Sequence, residues 1–202
     1  MTIPDFQAHI RTRIRESQQV QQNLLEGNQS QLIGQVAQWI IETYRNQGKV
    51  LLFGNGGSAA DAQHIAAELG GKFYLNRAPL PALALHANTS LLTAVANDYS
   101  FSQVFARGVQ ALAREGDVVI GISTSGNSEN VLEGMKEARA MRARTVVLTG
   151  SSGGRLKDEA DCCICVPSDD TPRIQEAHIL IGHIICELVE HQIFSALSNS
   201  HR

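Results

Sequence analysis

The chain has 202 residues, 43% of them hydrophobic and 18% charged, with a net charge of −3. That length suits one domain with elaborations around a sizeable core. The slight negative charge argues against non-specific nucleic-acid binding, and no apolar run approaches the roughly 20 residues that a membrane helix needs.

The opening residues, Met1 to Asp5, lead to Arg11, Arg13 and Arg15 without the apolar core of a signal peptide, so a cytoplasmic protein is expected. Residues 3 to about 27 place Ile10, Ile14, Val20, Leu24 and Leu25 at helical spacing. Such a thin apolar stripe needs a partner surface, and a second subunit would supply one. Gly27-Asn28 ends this helix, and a second runs from about 30 to 46 with Leu32, Ile33, Val36, Trp39, Ile40 and Tyr44.

Lys49 to Phe53 reads as the first strand and runs into the glycine-rich turn Gly54-Asn55-Gly56-Gly57-Ser58. A helix from Ala59 to Leu69 follows, then a strand from Pro81 to Leu85. Thr89 to Val95 reads as a short helix that stops before Asn97-Asp98, and a further helix spans about 101 to 113. Asp117 to Ile122 is a buried strand that opens into Ser123-Thr124-Ser125-Gly126-Asn127-Ser128, before a helix from Glu129 to Met141. Thr145 to Leu148 and Cys162 to Val166 read as the fourth and fifth strands, with a glycine-serine turn at 150–154 between them. Thr171 to about Phe194 is a long last helix, and Ser195 to Arg202 a polar, frayed tail. Strands alternating with helices imply an α/β fold: a doubly wound parallel sheet of about five strands with added N-terminal helices. Ligands in such sheets bind beyond the carboxyl ends of the strands, where both small-residue turns sit.

Four hydroxyls, Ser123, Thr124, Ser125 and Ser128, fall within six positions at a helix start. Free backbone N–H groups there attract an anion, and the hydroxyls complete a cradle for a phosphate monoester. A single helix cap would explain one hydroxyl but not four. His64 and Glu68, four apart on one helix face, can share a metal or handle a proton together. On the last helix Gln175, Glu176, His178 and His183 punctuate an apolar segment. Gln175 and His183 are about 12 Å apart along the axis and roughly 80° around it. One metal would reach both only with stretched side chains, or else the site draws on two chains. His178 reads as a core histidine, and Asn97-Asp98 as either a turn or a sugar-hydroxyl contact. Cys162 and Cys165 have CxxC spacing, but Cys163 intervenes and no second ligand pair exists, so small buried residues of a cytosolic strand are expected.

These motifs, GNGGSAADAQH at 54–64, AND at 96–98, GDVVIGISTSGNS at 116–128 and RIQEAH at 173–178 with His183 beyond, resemble the sugar isomerase (SIS) domain family, and within it the phosphoheptose isomerases. The resemblance covers nearly the whole chain. It implies conversion of D-sedoheptulose 7-phosphate to D-glycero-D-manno-heptose 7-phosphate, for the heptose of bacterial surface glycans. It implies one Zn2+ per subunit held by His64, Glu68, Gln175 and His183. It implies substrate contacts from Asn55, Gly56, Gly57, Ser58, Glu68, Asn97, Asp98, Ser123, Thr124, Ser125, Ser128 and Gln175. It also implies a homotetramer with interfacial active sites, with 1–47 serving oligomerisation, 48–195 forming the SIS domain and 196–202 a tail. No direct nucleic-acid or membrane partner is expected. The family pattern carries arginine four residues after the glutamate; here it is Lys72, which keeps the charge and loses the planar fork.

An aldose–ketose isomerisation needs a base at carbon and an acid at oxygen. Glu68 is expected as the base and His183 as the acid/base partner. Two rival readings are a non-catalytic SIS module that binds the bacterial replication initiator protein, and a regulatory domain that senses a sugar phosphate. One initiator-binding relative has serine in place of Glu68, and regulatory relatives carry a DNA-binding appendage. Retention of His64, Glu68, Gln175 and His183 together favours the enzyme.

Overall fold

The computed structural model describes residues 5–194. The tail expected at 196–202 and the first four residues lie outside them. The elements are α1 (Phe6–Glu26), α2 (Gln29–Arg45), β1 (Val50–Gly54), α3 (Gly57–Gly70), β2 (Ala82–Ala84), α4 (Thr89–Asp98), α5 (Val104–Leu112), β3 (Val118–Ser123), α6 (Glu129–Ala140), β4 (Arg144–Thr149), β5 (Cys162–Cys165) and α7 (Thr171–Ile193). All strand pairs are parallel, in the order β2-β1-β3-β4-β5. The expected doubly wound α/β sheet is the one found.

Both faces of the sheet are covered, which is why the central strands read as unbroken apolar runs. On one face Val50, Leu52, Val118, Ile120, Ile122 and Leu148 pack with residues of α2, α3 and α7. On the other, Leu51, Phe53, Val119 and Val147 pack with α5 and α6, where Phe53 stacks on Phe105 with ring centroids 4.9 Å apart. The helix α2 is part of the first layer, burying Val36 and Ile40 completely. The helix α1 buries only Val20 and Leu24 and leaves Phe6, Ile10, Ile14 and Leu25 exposed. Among the described residues no helix is long and apolar enough to cross a membrane.

The segment expected to leave the helix before Asn97-Asp98 behaves differently. Asn88 caps α4 by accepting from Leu91 N, and the helix runs on through both residues to Asp98. The expected helix at 101–113 begins as a 3-10 turn over Phe101–Gln103 before α5.

Two helices that meet over the sheet set the site. α3 and α7 run side by side in the same direction, so that Gly57 meets Gln175, Ile65 meets Gly182 and His64 meets His183. Close approach depends on the glycines. A Cβ at Gly182 would stand 2.6 Å from Ile65 Cγ1, and one at Gly57 only a little over 2 Å from the Gln175 amide. Gly182→Val is therefore expected to force the helices apart and cost about 1–3 kcal/mol. A lower denaturation midpoint measures it, and an unchanged midpoint would show that the contact is not tight.

Candidate active site

The strand order reverses between β1 and β3, and the crevice at their carboxyl ends is where such sheets bind ligands. The two small-residue turns leave these two strands. A cleft of about 240 Å³ opens there, lined by Asn55, Ser58, Ser123, Thr124, Ser128 and Gln175 together with Ile122 and Thr171. Ser128 stands at the N-cap of α6 but its hydroxyl makes no capping bond; it lies 2.9 Å from Ser123 Oγ. Ser125 Oγ is 3.5 Å from Ser123 Oγ and accepts from Asn127 N. The hydroxyls of Ser123, Ser125 and Ser128 gather at one point, and no side chain caps the start of α6; uncapped N–H groups at a helix N-terminus can bind an anion.

Backbone geometry fixes this loop. Gly126 has φ +66, and a Cβ there would collide with the Gly153 carbonyl, so only glycine fits. Gly150 N donates to Thr124 O, and Leu156 N to Gly126 O, so the turn after β4 buttresses the serine loop. The other turn is tied by a reciprocal amide pair: Asn55 Nδ2 donates to Asn130 Oδ1 at 2.8 Å and Asn130 Nδ2 to Asn55 Oδ1 at 2.9 Å. Gly56, with φ +55, lets the chain turn into α3.

Beside this cleft, α3 and α7 bring His64, Glu68 and His183 together. Their ligand atoms all lie within 4.8 Å of one another. Glu68 Oε1 is 3.1 Å from His64 Nε2, which is 3.4 Å from His183 Nε2. Nitrogen and oxygen ligands of a tetrahedral zinc, at about 2.0–2.2 Å from the ion, stand roughly 3.3–3.6 Å apart. Three electron-pair donors at these spacings fit a small divalent cation, and all three come from one chain. Gln175, two turns earlier on α7, lines the serine cleft and packs against Gly57. Phe73 covers His183 from the side, with centroids 5.7 Å apart.

Asn97 and Asp98 are exposed at the end of α4, where Asn97 Nδ2 donates to Asp98 Oδ1, and they do not line the cleft. Ser125, Gly56, Gly57 and Lys72 are also exposed. His178 is fully buried and donates from Nε2 to Thr149 O; burial lowers its pKa to about 4, so it stays neutral. It is the core histidine that its surroundings suggested, although its Nδ1 has no partner.

Three residues escaped the reading of the sequence. Asn130 looks like a surface residue of α6 until its long-range partner is known. Asp61, one turn before His64, has a buried Oδ2 with no partner, and burial raises its pKa to about 6 against the pull of His64. Glu190 is buried on α7 with Arg77, and only the loop after α3 explains it. Asp61 alone carried a signal, its place in GNGGSAADAQH.

Comparisons with known proteins agree with this fold. Residues 14–150 match the SIS domain family. The phosphoheptose isomerase of Nitratiruptor sp. is 61% identical over 150 residues, covering 74% of this chain and 80% of that protein. The phosphoheptose isomerase of Clostridium acetobutylicum is 49% identical over 186 residues, covering 92% of this chain and 95% of that one. Among solved structures, phosphoheptose isomerase GmhA from Neisseria gonorrhoeae superposes with a TM-score of 0.87 at 41% identity, covering 92% of this chain and 99% of its own. A phosphoheptose isomerase from Francisella tularensis gives 0.89 at 38% identity, covering 93% and 99%. The chain belongs to the SIS domain family, among its phosphoheptose isomerases, and is a sugar phosphate isomerase.

Proposed function

We propose that the protein interconverts D-sedoheptulose 7-phosphate and D-glycero-D-manno-heptose 7-phosphate by moving a proton between C1 and C2 through an enediol. The observation that carries this reading is the meeting of Glu68 and His183 from two distant helices at one point, beside a cleft of hydroxyls. Ser123, Thr124 and Ser128 grip the phosphate with the N-terminus of α6, and Ser125 closes over it. Anchoring the far end of the sugar fixes C1 and C2 against the catalytic groups. Asn55, Gly56, Gly57, Ser58 and Gln175 are assigned to the wall along the sugar, and Asn97 and Asp98, which lie outside this chain's cleft, to contacts with the sugar hydroxyls. Glu68 takes the proton from carbon, and His183 gives and takes the proton at oxygen.

The cation is proposed as Zn2+, one per subunit, held by His64, Glu68 and His183; Gln175, the fourth ligand that the resemblance implies, stands two turns earlier on α7 against Gly57 and would have to extend its side chain toward the ion. When bound, it would polarise the carbonyl oxygen of the sugar. Isomerisation of sedoheptulose 7-phosphate, followed by the appearance of the aldose, tests the activity, with metal analysis of the same sample testing the ion. No aldose from a zinc-loaded protein would refute the assigned substrate.

The assembly is proposed as a homotetramer with active sites at subunit interfaces. Phe6, Ile10 and Ile14 repeat every four residues along one face of α1 and are 71%, 49% and 55% exposed. A second chain would cover that face, so residues 1–47 are assigned to oligomerisation and 48–195 to the catalytic domain. Ile10→Asp with Ile14→Asp is expected to release smaller species in light scattering; an unchanged mass would remove α1 from the interface. The four free cysteines fit a reducing compartment, and the cytoplasm is the proposed location.

A further inference from the structure

We infer that Cys163 and Cys165 form a dithiol site, separate from the catalytic cluster, that chelates a thiophilic ion through both sulfur atoms. The two residues alternate on the edge strand β5 and so point to the same side of the sheet, with their Sγ atoms 3.5 Å apart. A metal–sulfur bond of about 2.3 Å in a tetrahedral shell separates two sulfurs by roughly 3.8 Å, close to the spacing found. Thr149 Oγ1 reaches both sulfurs, at 3.6 Å from Cys163 and 3.5 Å from Cys165, and is a third polar atom at the same point. Both cysteines are half-buried rather than sealed in the core.

Their neighbours are unlike them. Cys162 points to the opposite face of the sheet, where burial pushes its thiol up to about 11, and Cys186 is buried on α7 and pushed up to about 12. Cys165 goes the other way. The Cys163 S–H donates toward it and, with Thr149 and the Lys157 charge, holds its thiol below the ordinary range against the effect of burial. A thiolate beside a thiol suits soft ions such as Cd2+, Cu+ or a trivalent arsenical.

The site lies beside the turn after β4. A Cβ at Gly153 would touch Cys165 Sγ at 3.3 Å, and a Cβ at Gly126 would collide with the Gly153 carbonyl, so this turn packs closely between the sulfurs and the serine loop. An occupant of the sulfurs therefore pushes on the turn that supports the phosphate cradle. This coupling rests on the phosphate role proposed for Ser123–Ser128; the chelation itself does not.

Phenylarsine oxide is the probe. Two arsenic–sulfur bonds form as the arsenic–oxygen bond breaks, both thiol protons leave in one water molecule, and no electrons are transferred. Intact-mass measurement after desalting is expected to show one arsenical retained by the native protein and by Cys162→Ser and Cys186→Ser, and none by Cys163→Ser or Cys165→Ser. Retention by either of the last two, or no retention by the native protein, overturns the site. Cys163→Ala and Cys165→Ala give the same answer if a serine variant misfolds. Calorimetry of sedoheptulose 7-phosphate binding is expected to show an affinity several-fold weaker in the arsenical-loaded protein, with no such change in treated Cys163→Ser. Unchanged affinity overturns the coupling, whereas a native protein that never binds the sugar phosphate refutes the substrate reading.

Discussion

Replacing Glu68 by Gln is expected to abolish isomerisation while sugar phosphate binding stays measurable. Glutamine fills the same space on α3, half-buried beside His64, but it cannot accept the proton from carbon. General-base catalysis contributes roughly 10²–10⁴-fold, so kcat falls at least that far. Binding survives because it depends mainly on the hydroxyl cradle, which Glu68 does not line. The prediction must be separated from loss of the ion, since Glu68 is also a proposed ligand. His64→Ala provides the control: it removes a ligand and leaves the carboxylate. If Glu68→Gln keeps its metal and loses turnover, the base assignment stands. Near-full turnover in Glu68→Gln would end it. A carboxylate that also serves a metal is a weaker base, so the pH profile of kcat in the native protein reports how the two roles divide.

The sheet was legible in the sequence because its strands are buried on both faces. Runs such as Asp117 to Ile122 have no polar alternation to confuse them with a surface hairpin, and β3 falls within one residue of expectation at each end. The end of α4 was not legible. Asn97-Asp98 has the composition of a turn, yet both residues sit in the last helical turn, where exposed polar side chains cost little. The separation of Gln175 from His183 posed a real geometric problem, and the packing of α3 along α7 bears on it. Because the helices run parallel, His64 and Glu68 come level with His183, and Gln175 comes level with the start of α3. No local pattern reveals that register, which depends on Gly57 and Gly182 meeting residues more than a hundred positions away. Asn130 and Glu190 were missed for the same reason. A polar residue inside a helix reads as solvent-facing until the loop that satisfies it is known.

Glu190→Ala is expected to be strongly destabilising. Glu190 and Arg77 are each 1% exposed in their side chains, and Glu190 Oε1 accepts from Arg77 Nε at 2.6 Å. The same carboxylate accepts from the backbone N–H groups of Phe73, Tyr74 and Leu75. Arg77 in turn donates to the carbonyls of Glu68, Leu69, Gly71 and Ala78. One ion pair thus ties the loop after α3 to α7, holds the backbone of Glu68 and sets Phe73 against His183. Removing the carboxylate leaves a buried guanidinium unpaired and three N–H groups without an acceptor. Breaking a buried pair in this way costs about 3–5 kcal/mol, or roughly 6–20 °C in Tm for a chain of this size. Burial pushes the Glu190 pKa up, but the three N–H donors and Arg77 outweigh it, and the net shift is downward. A carboxyl whose folded pKa is depressed contributes stability that is present above its unfolded value, about 4.3, and is lost as pH falls through the folded one. The stability of the native protein should therefore fall below about pH 4, and Glu190→Gln should lose that part of the acid dependence. A Glu190→Ala protein within about 1 kcal/mol of the native one would show that water replaces the carboxylate, and that the loop does not depend on it.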